Sequence, residues 1–157
     1  MAGVSKAARL DHPYLAALSE VGVQDHWPFV AVERSYGVTL GEWLAAHPTS
    51  GPAEMVDLMI PALQGLAFAH DAGVAHLDVQ PHTLLINEQG RVRWMALGVA
   101  RQLTRAPIPG PDRPGAPNGS PTPLSQIHEQ RKEAEGDLLR CGLLMHRWLA
   151  GRQASGA

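Results

Sequence analysis

The feature that most constrains this chain is a proline-rich segment at residues 106–123, which reads APIPGPDRPGAPNGSPTP. It holds seven of the 13 prolines in the 157-residue chain, together with three glycines. Proline fixes φ and removes a backbone donor, so neither a helix nor a central strand can pass through such a run. The segment is therefore predicted to be a long exposed loop, and the fold must form on either side of it.

The composition indicates one globular domain with a real core. Hydrophobic residues make up 45% of the chain and charged residues 18%, and the net charge is −2. Such a chain can bury a core, and it has no basic excess with which to displace the counterions of a nucleic acid. The single cysteine, Cys141, excludes an intrachain disulfide framework and a multi-cysteine zinc site.

No segment of the sequence approaches the ~18 apolar residues that a membrane span needs. The first ten residues, MAGVSKAARL, lack the apolar run of a secretory signal. We therefore expect no membrane span and a cytoplasmic location.

Helix signals precede the proline-rich segment. The spacing of Thr39 and Glu42 is that of a capping box, which predicts a short helix over 40–47 that stops at Pro48. A longer helix is predicted over 53–72, with an apolar face formed by Val56, Met59, Ile60, Leu63, Leu66, Ala67 and His70. Gly73 should end that helix, and Pro61 should bend it.

Strand signals surround these helices. The run 27–33 is apolar and β-prone, and the runs 84–87 and 92–95 form a hairpin pattern with Gly90 in its turn. After the proline-rich segment, residues 137–150 predict a helix that is apolar around most of its surface and therefore buried. The order of elements predicts an α+β fold.

A dense set of polar residues, His76-Leu77-Asp78-Val79-Gln80-Pro81-His82-Thr83, lies between the long helix and the hairpin. One interpretation is a metal site formed by His76, Asp78 and His82, since imidazole and carboxylate suit zinc or iron. A second is structural: His76 packs in the core with its ring nitrogens hydrogen-bonded to the backbone, and Asp78 caps a turn. A third depends on a wider pattern.

The sequence HLDVQPHTLLI, followed by NEQGRVRWMALG, resembles the catalytic loop, hairpin and metal-binding turn of the protein kinase family. His76, Asp78 and Pro81 match that family's H-R-D-x-K-P-x-N in place, and Ala96-Leu97-Gly98 falls on its D-F-G without a gap. Asp78 takes the place of the catalytic base, here vestigial, and His76 is expected to be structural. The resemblance is to bacterial serine/threonine kinases.

The resemblance extends in both directions along the chain. Residues 10–13 look like the link before the next strand, residues 29–33 the strand entering the hinge, and residues 37–40 the start of the following helix. The proline-rich segment lies where the activation segment belongs, and it is either a degenerate form of that loop or a polyproline ligand for a partner. Glu129 is similar in position to the acid of A-P-E, and Asp137 to the aspartate that opens the following buried helix.

The resemblance implies a partial kinase-like fold in four parts. Residues 1–37 would be a remnant of the small-lobe sheet and hinge. Residues 38–105 would be a mostly helical large lobe with the hairpin. Residues 106–128 would be the proline-rich loop, and residues 129–157 a buried helix and tail.

Departures from the family pattern fall on its chemistry. The positions that match the nucleotide and metal site are Glu33, Thr83 and Ala96, and the last of these cannot ligate a metal. The phosphate-steadying lysine falls on Gln80 and the arginine of H-R-D falls on Leu77. No G-x-G-x-x-G or V-A-I-K precedes Leu10. The resemblance therefore implies no bound metal and no cofactor, or at most weak ATP binding without Mg²⁺.

Four functions remain open at this point, and the last of them is an active but atypical kinase. The first is an inactive kinase-like domain that acts in signalling through a protein partner or a fused regulatory domain. The second is a truncated fragment of a serine/threonine kinase with ATP-binding ancestry. The third is a metal-binding protein that uses His76, Asp78 and His82.

Overall fold

The computed structural model describes residues 10–16, 18–32, 36–97 and 123–155, with the side chains of 18–23, 27–30, 32 and 152–155 left aside. Three positions discussed above, Glu33, Gly98 and the loop 106–122, lie outside the described residues. The elements within them are, in chain order, β1 (Leu18–Gln24), β2 (Trp27–Val32), β3 (Val38–Thr39), α1 (Leu40–Ala46), α2 (Pro52–Asp71), a 3-10 turn (Pro81–Thr83), β4 (Leu84–Ile86), β5 (Val92–Trp94) and α3 (Pro123–Ser155). The fold is α+β, as expected.

The strands form two small antiparallel sheets. β1 pairs with β2 through a turn in which Asp25 and His26 both have positive φ, of 50° and 70°. Positive φ at both central residues is the geometry that matches the twist of a two-residue hairpin. The second sheet has the order β3-β4-β5, and its β4–β5 hairpin turns at Gly90, where φ is 73°. The predicted hairpin is thus confirmed, while β3 was not anticipated.

Helix α1 begins at the predicted capping box. The Glu42 backbone N–H donates to Thr39 Oγ1 at 3.2 Å, and the Thr39 N–H donates to the Glu42 carboxylate at 2.8 Å. Both groups would otherwise be unpaired donors at the helix start. The helix ends at Ala46, one residue before the predicted end.

Helix α2 is present, but its buried face differs from the predicted one. Val56 and Ile60 are 42% and 52% exposed. The buried residues are Met55, Leu58, Met59, Ala62, Gly65, Leu66 and Ala69. The helix is apolar on more than one side, so its own periodicity could not select the face. Packing against β5 selects it, since the buried Trp94 indole donates to the Ala62 carbonyl at 2.7 Å.

Helix α3 corrects two expectations. It begins at Pro123, so the predicted loop boundary at 128 and the predicted helix start at 137 are both too late. Its burial is one-sided: Asp137, Cys141, Leu144 and Trp148 are buried, whereas Leu138, Leu139 and Leu143 are 51%, 65% and 49% exposed. The buried set follows the spacing of a single helix face. The outer apolar face is left open because no described element packs on it.

The core lies between α2, the β3-β4-β5 sheet and the inner face of α3. The segment before β1 closes one edge of this core, because Trp94 N–H donates to the Tyr14 carbonyl and Ala16 N–H donates to the Trp94 carbonyl. Among the described residues, no helix combines the length and the apolar character that crossing a membrane requires.

Candidate functional site

The polar loop 76–83 is anchored at its start by the end of α2. Gly73 has φ of 75°, and the Val74 N–H donates to the Ala69 carbonyl at 2.8 Å. Glycine adopts this left-handed conformation at no steric cost, and the hydrogen bond that results satisfies a carbonyl at the helix end. The chain is thereby turned toward the sheet, and the loop crosses between α2 and β4.

His76 lies fully buried beneath the loop. Its Nε2 is 2.8 Å from the Met95 carbonyl, and its Nδ1 accepts the Asp78 backbone N–H at 3.2 Å. Its ring meets the Trp94 indole edge-on at 5.2 Å. Burial lowers the pKa of His76 below its usual value, so the ring is neutral at pH 7. The ring of His76 thereby ties the loop to the residue after β5.

Asp137 on α3 holds the start of the same loop. Its carboxylate accepts the backbone N–H groups of His76 and Leu77 at 2.7 and 2.8 Å, and it lies 2.8 Å from His70 Nε2. Burial alone would raise the pKa of Asp137. The hydrogen bond from His70 and the two backbone N–H groups outweigh it, and together they lower that pKa. One buried carboxylate thus joins α2, the loop and α3.

Leu77 is held in an unusual conformation. Its φ is 70°, a left-handed value that residues other than glycine and asparagine seldom adopt. The Asp137 carboxylate accepts its N–H, and the Arg140 guanidinium donates to its carbonyl. The backbone at Leu77 is therefore fixed from both sides by α3, although its own side chain takes no part.

Asp78 is the accessible carboxylate of the loop, with 39% of its side chain exposed. Its Oδ1 accepts the Gln80 side-chain amide at 3.0 Å, and its Oδ2 lies 3.8 Å from His82 Nε2. A group within reach of solvent and held by one amide suits a base. To act as a base, Asp78 also needs a substrate whose proton is held within hydrogen-bond reach.

Thr83, one of the positions matched to a metal ligand, is committed to the backbone. Its hydroxyl lies 2.8 Å from the Asp78 carbonyl and 3.0 Å from the Gln80 carbonyl, and it accepts the Gln80 N–H at 3.1 Å. Only 3% of Thr83 is exposed. Its oxygen shapes the 3-10 turn, so it is not available to a cation.

Ala96 is the second residue after β5. Its φ is 60°, so the chain turns there in the left-handed region that alanine disfavours. The preceding residue is fixed by the Met95 N–H, which donates to the Thr83 carbonyl at 2.9 Å. The residue next to this contact thus carries a methyl group, without any oxygen. The third matched position, Glu33, lies outside the described residues.

The metal-site interpretation of His76, Asp78 and His82 is wrong. Both ring nitrogens of His76 are engaged within the core, while His82 and Asp78 face outward. The part of the chain that the structure describes brings no three His, Cys, Asp or Glu side chains together as metal ligands. The thiol of Cys141 is no reactive group either, because burial raises its pKa to about 12.

Sequence reasoning missed two partners that organise this site. His70 was assigned to an apolar helix face, yet its ring contacts the carboxylate of Asp137, 67 residues along the chain. Arg140 was not singled out at all. Neither contact has a local signal, because each depends on how α3 crosses α2 and the loop. Only the position of Asp137 at the opening of the predicted helix pointed toward the first.

Known proteins are similar to this chain in sequence over most of its length. A sequence model described as the protein kinase domain matches residues 3–154. The serine/threonine-protein kinase PknL of Mycobacterium tuberculosis is 32% identical over 146 residues, which are 92% of this chain and 36% of that protein. The serine/threonine-protein kinase PrkC of Bacillus subtilis is 29% identical over 102 residues, 65% of this chain and 16% of that protein. The chain thus spans little more than a third of the length of these relatives, or less.

Proposed function

Because the chain belongs to the protein kinase family, we propose that it is a catalytically inactive member that acts in signalling as a binding or regulatory module. Its partner would be another protein or a regulatory domain fused to it, in the cytoplasm. The proposal takes the family's reaction as its reference. Phosphoryl transfer depends almost entirely on positioning and on neutralising the charge of the phosphates.

The observation that carries the proposal is the methyl group of Ala96. The family's D-F-G aspartate, which ligates Mg²⁺, corresponds to this residue. Mg²⁺ is bound through hard oxygen ligands, and a methyl group offers none. The neighbouring candidate, Thr83, uses its hydroxyl within the 3-10 turn. At the two matched positions that the structure describes, Thr83 and Ala96, no side-chain oxygen is therefore free to hold the cation.

The loss of charge on the loop supports the same conclusion. Gln80 stands where the family has its phosphate-steadying lysine, and its amide is bonded to Asp78. Leu77 stands where the family has an arginine. Each charge-stabilising group removed from such a site costs about 10²–10³ in rate, although such losses do not add simply. Asp78 alone cannot supply what these groups would have done.

The intact loop scaffold supports a binding role. Asp137, His70 and His76 hold the loop in one conformation through buried hydrogen bonds. Such a network stabilises a surface whether or not the surface performs chemistry. The proposal includes a residual affinity for ATP without Mg²⁺, since the hydrogen bonds that hold the loop involve no metal ion.

The deciding experiment is phosphate transfer from radiolabelled ATP to a generic protein substrate, with Mg²⁺ or Mn²⁺. We expect no transfer above background for the full chain or for an Asp78→Asn variant. Transfer by the wild-type chain that the substitution abolishes would overturn the proposal. In parallel, any rise in melting temperature caused by ATP should be the same with and without Mg²⁺.

A further inference from the structure

A cleft of about 370 Å³ lies beside the loop, between α1 and α3. Its lining residues are Leu44, Val79, Gln80, Pro81, Arg140, Leu143, Leu144, Arg147 and Trp148. A second cavity of about 270 Å³ adjoins it and shares Leu44, Arg147 and Trp148. The two therefore form one groove, called here the α1–α3 groove, and the side chain of Arg147 lies where they meet.

The charge of the α1–α3 groove has one sign. Arg140 and Arg147 line it, and no aspartate or glutamate is among the lining residues of either cavity. Within the described part of the chain, the carbonyl of Leu77 is the hydrogen-bond partner of Arg140, and Arg147 has none. A guanidinium has five N–H donors, so both side chains keep most of theirs for a ligand.

The spacing of the two arginines sets the distance between the anionic groups of a complementary ligand. They are seven residues apart on one helix, which is about two turns and about 10 Å along the axis, on one side of it. Between them the groove is apolar: Leu143 is 49% exposed, and Leu144 and Trp148 form the floor. A complementary ligand has two anionic groups about 10 Å apart with an apolar group between them.

We infer that the α1–α3 groove binds an acidic, extended peptide segment of a partner protein, with an apolar side chain between two carboxylates. In the extended polyproline II conformation a chain has three residues per turn and advances about 3.1 Å per residue, so acidic residues at positions i and i+3 lie on the same side, about 9 Å apart, and match the two arginines. The inference rests on the proposed function in one respect, since it names the chemistry of the expected partner. A guanidinium pairs with a carboxylate through two parallel hydrogen bonds, which favours this ligand over a neutral one.

The test is fluorescence anisotropy of a labelled peptide with the core Glu-Leu-Ala-Glu, titrated with the full 157-residue chain. We expect saturable binding that weakens as salt is raised, because exposed charges are screened. Peptides with the cores Gln-Leu-Ala-Gln and Glu-Ser-Ala-Glu should bind about tenfold more weakly or not at all.

Matched variants locate the site. Arg147→Gln and Leu143→Asn should each weaken binding about tenfold. Arg131→Gln and Leu139→Asn should leave it unchanged, since these exposed residues lie on the same helix but do not line the groove. Arg147 is the arginine tested because it has no hydrogen-bond partner among the described residues, whereas Arg140 also donates to the Leu77 carbonyl in the loop. Circular dichroism of each variant confirms that it is folded.

Several outcomes would overturn the inference. They are equal binding of the Gln-Leu-Ala-Gln peptide, binding unaffected by Arg147→Gln, or loss of binding in Arg131→Gln of the same size. Binding of phosphatidylserine vesicles through Arg147, with no binding of the peptide, would overturn it as well. The assay contains no nucleotide, so its failure is separate from that of the proposed function: phosphate transfer bears on the first proposal and peptide binding on this one.

Discussion

Leu77 and Ala96 are the two residues of the site whose backbone conformation is least usual for their side chains. Both have positive φ, of 70° and 60°, although neither is a residue that favours it. In each case hydrogen bonds from neighbouring groups fix the backbone: those of Asp137 and Arg140 at Leu77, and the bond of the Met95 N–H beside Ala96. Neighbouring groups therefore hold both residues in this conformation.

Ala96→Gly is expected to stabilise the fold by about 1 kcal/mol. The left-handed conformation costs an alanine about 1–2 kcal/mol and costs glycine almost nothing, and the greater freedom of glycine in the unfolded chain offsets part of that gain. Urea unfolding measures the change. As the matched control, Ala67→Gly at an exposed position inside α2 should lower stability by about 1 kcal/mol. Equal destabilisation by both substitutions would contradict the assignment of strain to Ala96.

Asp137→Ala is expected to lower the free energy of unfolding by about 3 kcal/mol or more. The substitution leaves the buried N–H groups of His76 and Leu77 without an acceptor, and His70 without its partner. Urea unfolding again gives the value. Glu135→Ala, on an exposed ion pair of the same helix, should change stability by less than about 1 kcal/mol. A small effect of Asp137→Ala would show that the carboxylate does not hold the loop.

The stability of the chain should fall as the pH is lowered, in two stages. His76 has a lowered pKa, so below its ordinary value of 6.5 the unfolded chain takes up a proton that the folded chain resists. The lowered pKa of Asp137 adds a stabilising contribution that is full above the ordinary value of 3.8 and is lost as the pH falls through the folded-state value. Melting temperatures from pH 7 to pH 5 should fall less steeply in a His76→Gln variant. An identical slope would contradict the role of His76.

The elements whose ends carry a local sequence signal were predicted well. The capping box at Thr39, the stop at Gly73 and the turn at Gly90 each specify backbone geometry within a few residues, and each is present. The buried face of α2 and the start of α3 were predicted wrongly. The first depends on which side meets β5, and the second lies in a stretch where Pro123 suits the opening of a helix as well as the end of a loop.

Thr39→Ala is expected to lower the free energy of unfolding by about 1 kcal/mol. The substitution removes the side-chain acceptor for the Glu42 N–H and one half of the capping box of α1. Chemical unfolding followed by circular dichroism measures it. Thr49→Ala, at an exposed turn position after the same helix, should have almost no effect. The capping assignment fails if both substitutions cost the same.

At the scale of the whole molecule, the long helix α3 belongs to two environments. Its inner face completes the core and carries Asp137, whereas its outer face exposes Leu138, Leu139 and Leu143. The loop 76–83 could be placed from sequence because its motif is contiguous. The groove beside it could not, because it arises only when α1 and α3, about 100 residues apart in the chain, come together.

The open face of α3 should bind a hydrophobic dye. Contiguous exposed leucines form the kind of apolar patch that such dyes detect. We expect 8-anilinonaphthalene sulfonate fluorescence in the presence of the native chain to fall by about half in a double variant, Leu138→Gln with Leu139→Gln. Leu124→Gln serves as the control, because Leu124 is an exposed leucine at the start of α3, about four helical turns from Leu138. Unchanged fluorescence in the double variant would show that this face is not accessible.

The hydrogen bonds between Asp137 and the loop have a consequence for sequence variation. Asp137 bonds to main-chain N–H groups, which every residue except proline possesses, so this contact does not depend on which side chain stands at position 77. A library randomised at position 77 to every residue except proline should therefore yield mostly folded proteins. The same scaffold could then be explored for new specificities, much as antibody loops are varied on a constant frame.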